Sequence, residues 1–368
     1  MSAFDDYFEK NREKSLISSF NIRLPLVFSR RPLYLYFIKK FGNPKNYISK
    51  LAYFCITNKY FIFLENILRP VSIRIACNNN LKYSPKIANE CLRVLDRTII
   101  NYRNGNEPEL AHLIDLLIPD DGVFIDIGAN WGYFSLFLAL RNGFKGFIHS
   151  FEPIEENISL LVDFKNKFNL KSIHAYKLAL ANSVSTQRIY YYDLLKEGAT
   201  LLLPSDEKGY EIDPSWGTYR SADIEISKLD SFIFDRIDFL KIDVEGLEYE
   251  CIQGSKEQIK KHNPYIFLES HFIEGNEESI NKSLLLFEFL EKLGYKFYLP
   301  SWVQKKSTFF VGIGWGFDMS HFALTPFESN DRKNFGISIL NVFACHQSKV
   351  SFLGNPFNLY FSEMNNLN

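Results

Sequence analysis

The stretch "VFIDIGANWGYFSLFLAL", residues 123–140, predicts a buried strand, a tight loop and an apolar helix in direct succession. Apart from Asp126, residues 123–127 are an apolar run, which is typical of a strand covered on both faces of a sheet. Gly128 and Gly132 give the loop two residues that adopt unusual backbone angles at little cost. A strand that turns directly into a helix begins a βαβ unit, so the stretch predicts an α/β fold.

The same alternation of strand and helix continues along the chain. The predicted strands are Val123–Ile127, Gly146–Phe151, Ile173–Leu180, Phe239–Ile242 and Tyr265–Leu268. The predicted helices are Trp131–Arg141, Glu155–Phe168, Leu247–Lys261 and Ser279–Leu293. Such alternation favours a parallel, doubly wound sheet, and residues 295–299 and 338–346 are expected to close its edge as an antiparallel pair.

The pattern divides the chain into three parts. Residues 1–100 are predicted to be mainly helical, and residues 101–350 form the predicted α/β domain. The polar, Tyr-rich segment Ser183–Leu229 is predicted to be a hairpin-like insertion in this domain, and residues 300–336 a second insert. Residues 351–368 are assigned to a C-terminal tail.

The net charge of −1 hides a strong asymmetry along the chain. Residues 1–100 carry 17 Lys or Arg against 7 Asp or Glu, and the rest carry 25 against 36. A basic region of this kind can face nucleic acid, an anionic membrane surface or the chain's own acidic part. The basic and aromatic residues 30–42 are the candidate for peripheral membrane contact, although packing against the protein is the preferred interpretation.

A cytoplasmic protein is expected from the N-terminal segment and the cysteines. Residues 1–14 are polar and of mixed charge, unlike a secretory signal. Residues 51–76 carry Lys59, Glu65 and Arg69, which disfavours a membrane-spanning helix. The five cysteines form no CxxC pair and no even framework, as expected in a reducing compartment, and zinc is not expected.

The loop at residues 126–132 lies where open parallel sheets bind ligands, outside the carboxyl ends of the strands. A dinucleotide fingerprint would place glycine at positions 128, 130 and 133, but Asn130 and Tyr133 occupy the last two. Asp126 adds a negative charge where a phosphate would lie. These departures disfavour NAD or FAD and suit a ligand with a cationic, phosphate-free end, such as S-adenosylmethionine. Asp126, Gly128, Asn130 and Gly132 are therefore the candidate cofactor loop.

A second cofactor residue is predicted at Glu152, in "HSFEP" at the end of the next strand. It follows Gly128 by 24 residues, a spacing that places an acid beside the two ribose hydroxyls of a bound nucleoside. The alternative is a generic α/β turn followed by a chance acid.

The candidate catalytic residues lie in and after "DFLKIDVEGLEYECIQG", residues 238–254. Asp243 and Glu245 follow a strand closely, and neighbouring carboxylates repel, so at least one pKa is expected to be raised towards that of a general base. Capping of the next helix is the alternative, and Glu248 is expected to do only that. His271 is the second candidate base, and it could instead bind a divalent ion with Asp243 and Glu269 or be structural. No residue is committed to a metal site.

In this combination and order, the motifs resemble the FkbM-type S-adenosylmethionine-dependent methyltransferases. The resemblance lies in "FIDIGANWGYFSL", "FEPIEEN", "LALANS", "ATLLL", "SKLDSF", "DFLKIDVEGLEYECIQGS" and "PYIFLESH", across about residues 120–300. It implies a class I, Rossmann-like fold with a mostly parallel sheet and an antiparallel edge. It also implies that Asp126, Gly128, Asn130 and Gly132 form the cofactor loop, and that Glu152 binds the ribose. Residues 1–100 and the insert 300–336 lie outside it.

The expected activity is O-methylation of a hydroxyl on a sugar, glycan or related metabolite, with S-adenosylmethionine as cofactor. Asp243 or Glu245 would take the proton of that hydroxyl. Two alternatives remain. The first is a nucleic-acid methyltransferase that uses the basic region, although no recognised nucleic-acid module occurs there. The second is a cofactor-binding scaffold without catalysis. The sequence alone does not decide the oligomeric state.

Overall fold

The structure is a computed structural model. It describes residues 7, 10–11, 14–19, 64, 67–68, 71, 74, 107–192, 218–272, 276–303, 309–310, 321–335, 339–353 and 359–360. The basic and aromatic stretch at residues 30–42 lies outside this part, as does most of the N-terminal region that is predicted to be helical. No helix among the described residues is long and apolar enough to cross a membrane.

The strands and helices of this part alternate as the sequence predicts. The strands are β1 (Leu16–Ser19), β2 (Val123–Ile127), β3 (Phe147–Phe151), β4 (Ile173–Tyr176), β5 (Ala179–Leu180), β6 (Ser185–Tyr192), β7 (Tyr219–Ser227), β8 (Phe239–Ile242), β9 (Tyr265–His271), β10 (Tyr295–Val303), β11 (Phe309–Phe310), β12 (His321–Phe327), β13 (Ile339–His346) and β14 (Leu359–Tyr360). The helices are α1 (Pro108–Leu117), α2 (Tyr133–Ala139), α3 (Glu155–Lys167), α4 (Glu248–Gly254), α5 (Lys256–His262), α6 (Glu277–Lys292) and α7 (Val350–Leu353).

One large sheet has the strand order β14-β1-β12-β10-β13-β9-β8-β2-β3-β4. Its strands β4, β3, β2, β8 and β9 are parallel, and β13 runs antiparallel between β9 and β10. The expected antiparallel pair of β10 and β13 is therefore confirmed, but it does not close the sheet, because β12, β1 and β14 continue it beyond β10. The predicted fold class, a Rossmann-like, mostly parallel sheet with an antiparallel edge, is confirmed as well.

Two hydrophobic cores cover the two faces of this sheet. Strand β2 is buried along its whole length, with Phe124 in one core and Ile125 and Ile127 in the other. Helices α1, α2 and α3 pack on the first face, and α4, α5 and α6 on the second. The apolar sequence of β2 is explained by this double coverage, which is typical of central parallel strands.

Two element boundaries differ from the predictions. The single strand predicted over Ile173–Leu180 is two strands in two sheets, because the chain leaves β3 after Tyr176 and β5 pairs with β7. The helix predicted over Leu247–Lys261 is divided at Ser255, whose hydroxyl bonds to the Cys251 carbonyl at 2.7 Å. The Asp230 carboxylate then accepts hydrogen bonds from backbone amides in the first turn of α5.

The inserted segments extend the structure in different ways. Strands β6 and β7 form an antiparallel hairpin, which confirms the hairpin-like character of Ser183–Leu229 for its described residues. Strand β12, from the second insert, widens the main sheet, and β1 pairs with it. The Ser15 hydroxyl, next to β1, bonds to that of Thr325 at 2.8 Å. Residues of the N-terminal region therefore contribute directly to the large sheet.

A substitution at the end of α4 tests the contact between that helix and the backbone of Ala181, the residue after β5. A Cβ atom at Gly254 would lie 1.9 Å from the Ala181 carbonyl oxygen, so Gly254→Ala requires one backbone to move. We expect a loss of about 2–3 kcal/mol in the free energy of unfolding, measured with urea. Gln253→Ala is the control and should change it by about 1 kcal/mol or less. Equal effects of the two substitutions would contradict this packing.

Candidate active site

The loop after β2 makes its turn with three residues in left-handed conformation. Gly128, Asn130 and Gly132 have φ angles of 73°, 52° and 87°. The amides of Gly128 and Ala129 both donate to the Phe151 carbonyl, which ties the loop to the end of β3. A Cβ atom at Gly128 would lie 1.7 Å from the Asp243 carbonyl oxygen. The predicted cofactor loop is therefore in backbone contact with the segment that carries the candidate catalytic acids.

Glu152 follows β3 and closes the same loop from the other side. One carboxylate oxygen accepts from the Asn130 amide at 2.9 Å, and the other accepts from the Ile154 amide at 3.0 Å. Burial raises the pKa of Glu152 to about 7, although these hydrogen bonds and one from Asn157 oppose the rise. Oε1 already accepts from both Ile154 and Asn157, whereas Oε2 keeps a second lone pair beside the Asn130 amide, so Glu152 can still accept a hydrogen bond from a ribose hydroxyl.

The loop residues also bear on which nucleoside ligand fits. Tyr133, where a dinucleotide site has glycine, is buried with its ring against Trp131 and Phe134. In a dinucleotide site the glycine at this position serves close packing of helix on strand, and the glycine that lets the backbone approach a pyrophosphate is replaced here by Asn130, whose side chain accepts from the Trp131 amide at 2.7 Å. The acid Glu152 at the end of β3 suits a ribose. The residues present therefore fit a nucleoside without a diphosphate, such as S-adenosylmethionine.

Lys241 on β8 connects the two parts of the site. Its ammonium lies 3.2 Å from Asp243 and 3.6 Å from Asp126, and it donates to the Gly128 carbonyl at 2.9 Å. Asp126 is its direct neighbour in the parallel register of β2 and β8. Burial alone would lower the pKa of Lys241, but Asp243 and Asp126 hold it above its usual value. The buried side chain is thus a cation throughout the physiological range.

Asp126 is 1% exposed and accepts a hydrogen bond from the Ser135 hydroxyl at 2.6 Å. Burial raises its pKa, while Lys241 and Ser135 act in the opposite direction. The structure thus places Asp126 against the buried Lys241. The expected contact of Asp126 with the cationic end of a ligand stays a prediction.

Asp243 and Glu269 form a pair of carboxyl groups beside this cation. Burial and the neighbouring Asp243 raise the pKa of Glu269 far above its usual range. Burial would also raise the pKa of Asp243, but Lys241 and a hydrogen bond with Glu269 hold it below its usual value. Glu269 is therefore the protonated partner at neutral pH and Asp243 the carboxylate.

His271 at the end of β9 lies among further acids. Its Nδ1 is 2.9 Å from Glu248, and its Nε2 is 3.4 Å from Glu245 and 3.7 Å from Glu269. Burial would lower the pKa of His271, but Glu248, Glu245 and Asp243 raise it to about 9. The imidazolium is thus the neutral-pH form, which has no lone pair with which to accept a proton.

Glu107 reaches this group from just before α1. Its carboxylate accepts from the Asn341 side chain on β13 at 3.2 Å. Burial and the nearby Asp243 raise its pKa. This contribution comes from a part of the chain without any catalytic motif, so the sequence analysis missed it.

The structure brings the predicted residues into two adjacent groups at one edge of the sheet. The cofactor group holds Asp126, Gly128, Asn130, Gly132 and Glu152, and the catalytic group holds Asp243, Glu245 and His271. Lys241 joins them through its contacts with Asp126, Gly128 and Asp243, and it was not among the predicted site residues. The signal that could have indicated it is a lysine opposite an aspartate on the neighbouring strand. Glu248, expected only to cap a helix, in fact contacts His271.

The metal alternative for Asp243, Glu269 and His271 finds no support in the described residues. Within that part of the chain, no group of three or more His, Cys, Asp or Glu side chains is arranged to hold a metal ion. Cys251 and Cys345 are buried free thiols.

Comparison with known proteins gives a family match over the part of the chain that forms this site. Residues 126–297 match the methyltransferase FkbM domain. The chain is 27% identical over 177 residues to "Methyltransferase sdnD" of Sordaria araneosa, which covers 40% of this chain and 66% of that protein. It is 23% identical over 148 residues to "Methyltransferase 1" of Beauveria bassiana, which covers 37% and 59%. The chain thus spans less than two thirds of the length of these relatives.

Solved structures with some likeness to this chain include two methyltransferases. One is methyltransferase FkbM from Methylobacillus flagellatus, at 13% identity and a TM-score of 0.34, which covers 73% of this chain and 71% of that one. The other is an O-methyltransferase from Bacillus cereus in complex with SAH, at 13% identity and a TM-score of 0.36, which covers 69% and 97%.

The raised pKa of Glu152 predicts how its substitution changes stability with pH. An acid whose pKa is raised on folding stabilises the fold below its unfolded-state pKa, here 4.5, and this contribution is lost as the pH rises through about 7. Without added ligand, Glu152→Gln should therefore gain stability relative to the wild type between pH 4.5 and 8, by up to about 3 kcal/mol. Urea unfolding at several pH values measures the difference. A difference that does not change with pH would contradict the raised pKa.

Proposed function

We propose that this chain, which belongs to the FkbM methyltransferase family through residues 126–297, is an S-adenosylmethionine-dependent O-methyltransferase. The acceptor in this proposal is a hydroxyl of a sugar, glycan or related metabolite. The observation that supports it is the close approach of Gly128 to the Asp243 backbone carbonyl, together with the Lys241 ammonium, which contacts both the Asp243 carboxylate and the Gly128 carbonyl.

The cofactor side supports the proposal through Glu152 and the left-handed loop. Glu152 would bind the ribose hydroxyls, and the backbone at residues 128–132 would pass beneath the adenosine. When bound, S-adenosylmethionine supplies a methyl group activated by its sulfonium. The chain's own task is then to orient an acceptor oxygen and to accept its proton.

The acceptor side supplies groups for both tasks. Asp243 is ionised and 28% exposed, and Glu245 is 31% exposed, so both carboxylates can reach a ligand. Either can accept the hydrogen bond of an acceptor hydroxyl and then its proton, a contribution of about 10²- to 10⁴-fold in typical enzymes. Lys241 holds Asp243 in place, and such orientation of the acceptor can supply several kcal/mol.

The charge of this face favours a neutral acceptor over a nucleic acid. Among the described residues, the cations Lys241 and His271 stand beside the acids Asp243, Glu245 and Glu248, so a small negative excess remains even though Glu269 is protonated and the pKa of Glu107 is raised. Such an excess repels phosphates, whereas carboxylates are suitable acceptors for the hydroxyls of a polyol. A scaffold without catalysis gives no reason for several buried acids at one place, because buried charges are costly unless they are used or paired.

Amide substitutions test the assignment of the base. Asp243→Asn and Glu245→Gln remove one carboxylate each, so we expect at least one to lower methyl transfer about 100-fold or more. Turnover is measured with labelled S-adenosylmethionine and a panel of mono- and oligosaccharides. Calorimetry with S-adenosylhomocysteine should show nearly unchanged affinity in both variants.

Asp163→Asn, on the exposed face of α3, is the control for this experiment. It should leave both turnover and affinity unchanged. Normal turnover in Asp243→Asn and in Glu245→Gln would refute the base assignment. Tight binding of a nicotinamide dinucleotide, with no binding of S-adenosylhomocysteine, would refute the proposed function.

A further inference from the structure

The two ring nitrogens of His271 have different partners. Nδ1 lies 2.9 Å from a carboxylate oxygen of Glu248 and 3.2 Å from the Glu269 carbonyl oxygen. Nε2 lies 3.4 Å from the Glu245 carboxylate and 3.7 Å from that of Glu269. The ring therefore stands between one buried acid on α4 and the acids on the acceptor side of the site.

The Glu248 oxygen that contacts His271 has a second task. It accepts a hydrogen bond from the Gly246 amide at 2.9 Å, within the turn that precedes α4. In that turn Glu245 has a φ angle of 52°, a left-handed conformation that is unfavourable for a residue other than glycine. One buried carboxylate oxygen thus fixes both the histidine ring and the turn that carries Glu245.

We propose that Glu248 is a positioning residue, which acts through His271 and the Gly246 amide to hold the carboxyl groups of Glu245 and Glu269 towards the acceptor. It does not touch the acceptor itself. Its effect on methyl transfer rests on the proposed function, whereas its hold on His271 is independent of it.

The charges around His271 agree with this role. Glu248 faces the ring from α4, Asp243 and Glu245 from the segment after β8, and Glu269 from β9. Arg332, in the segment after β12, donates to the carbonyl of the preceding Ser270 at 3.2 Å. Although burial favours the neutral ring, Glu248, Glu245 and Asp243 keep His271 protonated up to about pH 9, and Glu248 contributes most. As a cation, the ring attracts the Glu245 carboxylate at 3.4 Å, and the protonated carboxyl group of Glu269 lies 3.7 Å from the same nitrogen.

An NMR titration of the full chain tests the hold of Glu248 on His271 without any acceptor. Histidine is labelled with ¹³C at the ring, and His271→Asn identifies the signal of His271. We expect a midpoint near pH 9 in the wild type. In Glu248→Gln it should fall by about one unit or more, because the amide retains the shape but not the charge.

Glu250→Gln is the matched control, because Glu250 lies on the same helix and pairs with Lys282 instead. It should leave the midpoint of His271 unchanged. A wild-type midpoint at or below about 6.5 would overturn the proposal, and this result does not depend on whether a variant folds. A midpoint within about 0.3 unit of wild type in Glu248→Gln would overturn it too.

The pH dependence of turnover distinguishes positioning from a purely structural role. With a saccharide that the wild type methylates, activity should fall as the pH rises through about 9, where His271 loses its proton. In Glu248→Gln this fall should move to lower pH by the shift seen in the titration, with unchanged affinity for S-adenosylhomocysteine. An unmoved fall would overturn the positioning role. If no saccharide is methylated, the proposed function fails, whereas the titration still decides whether Glu248 holds His271.

Discussion

The arrangement of the whole site depends on one buried cation, the ammonium of Lys241. It is 4% exposed and lies between Asp126 and Asp243, with the Gly128 carbonyl as a third partner. A buried charge is costly unless it is paired and hydrogen-bonded, so Lys241 fixes the places of these partners relative to one another. One partner belongs to the strand before the cofactor loop, one to the loop itself and one to the acceptor side.

The consequence is that the cofactor group and the catalytic group share one electrostatic network. Because Lys241 stabilises Asp243 as a carboxylate, the extra proton of the acidic pair resides on Glu269. The imidazolium of His271 lies 3.4 Å from Glu245 and 3.7 Å from Glu269. The acceptor side therefore combines ionised and protonated carboxyl groups, which can accept from and donate to a polyol.

The sequence could predict the sheet and most of the site because those features are local. The apolar run of β2, the loop glycines and the acids after β8 can each be recognised within a few residues. The pairing of Asp126 with Lys241 arises from strand register, and Glu107 arrives through tertiary packing, so neither follows from local pattern. Glu248 illustrates the same limit, since an acid in a first turn predicts a cap, but its carboxylate also binds His271. The division of the predicted helix at Ser255 depends on Asp230, which is distant in sequence.

A double-mutant cycle on Lys241 and Asp126 tests the central role of the buried cation most directly. Urea unfolding is measured for Lys241→Met, Asp126→Asn and the combined variant. Lys241→Met leaves its partners without a counter-charge, so it should cost about 3–5 kcal/mol. Removal of both charges should cost less than the sum of the single changes, by about 1–3 kcal/mol. Effects that add to within about 0.5 kcal/mol would contradict the account, because they would show that the two charges do not depend on each other.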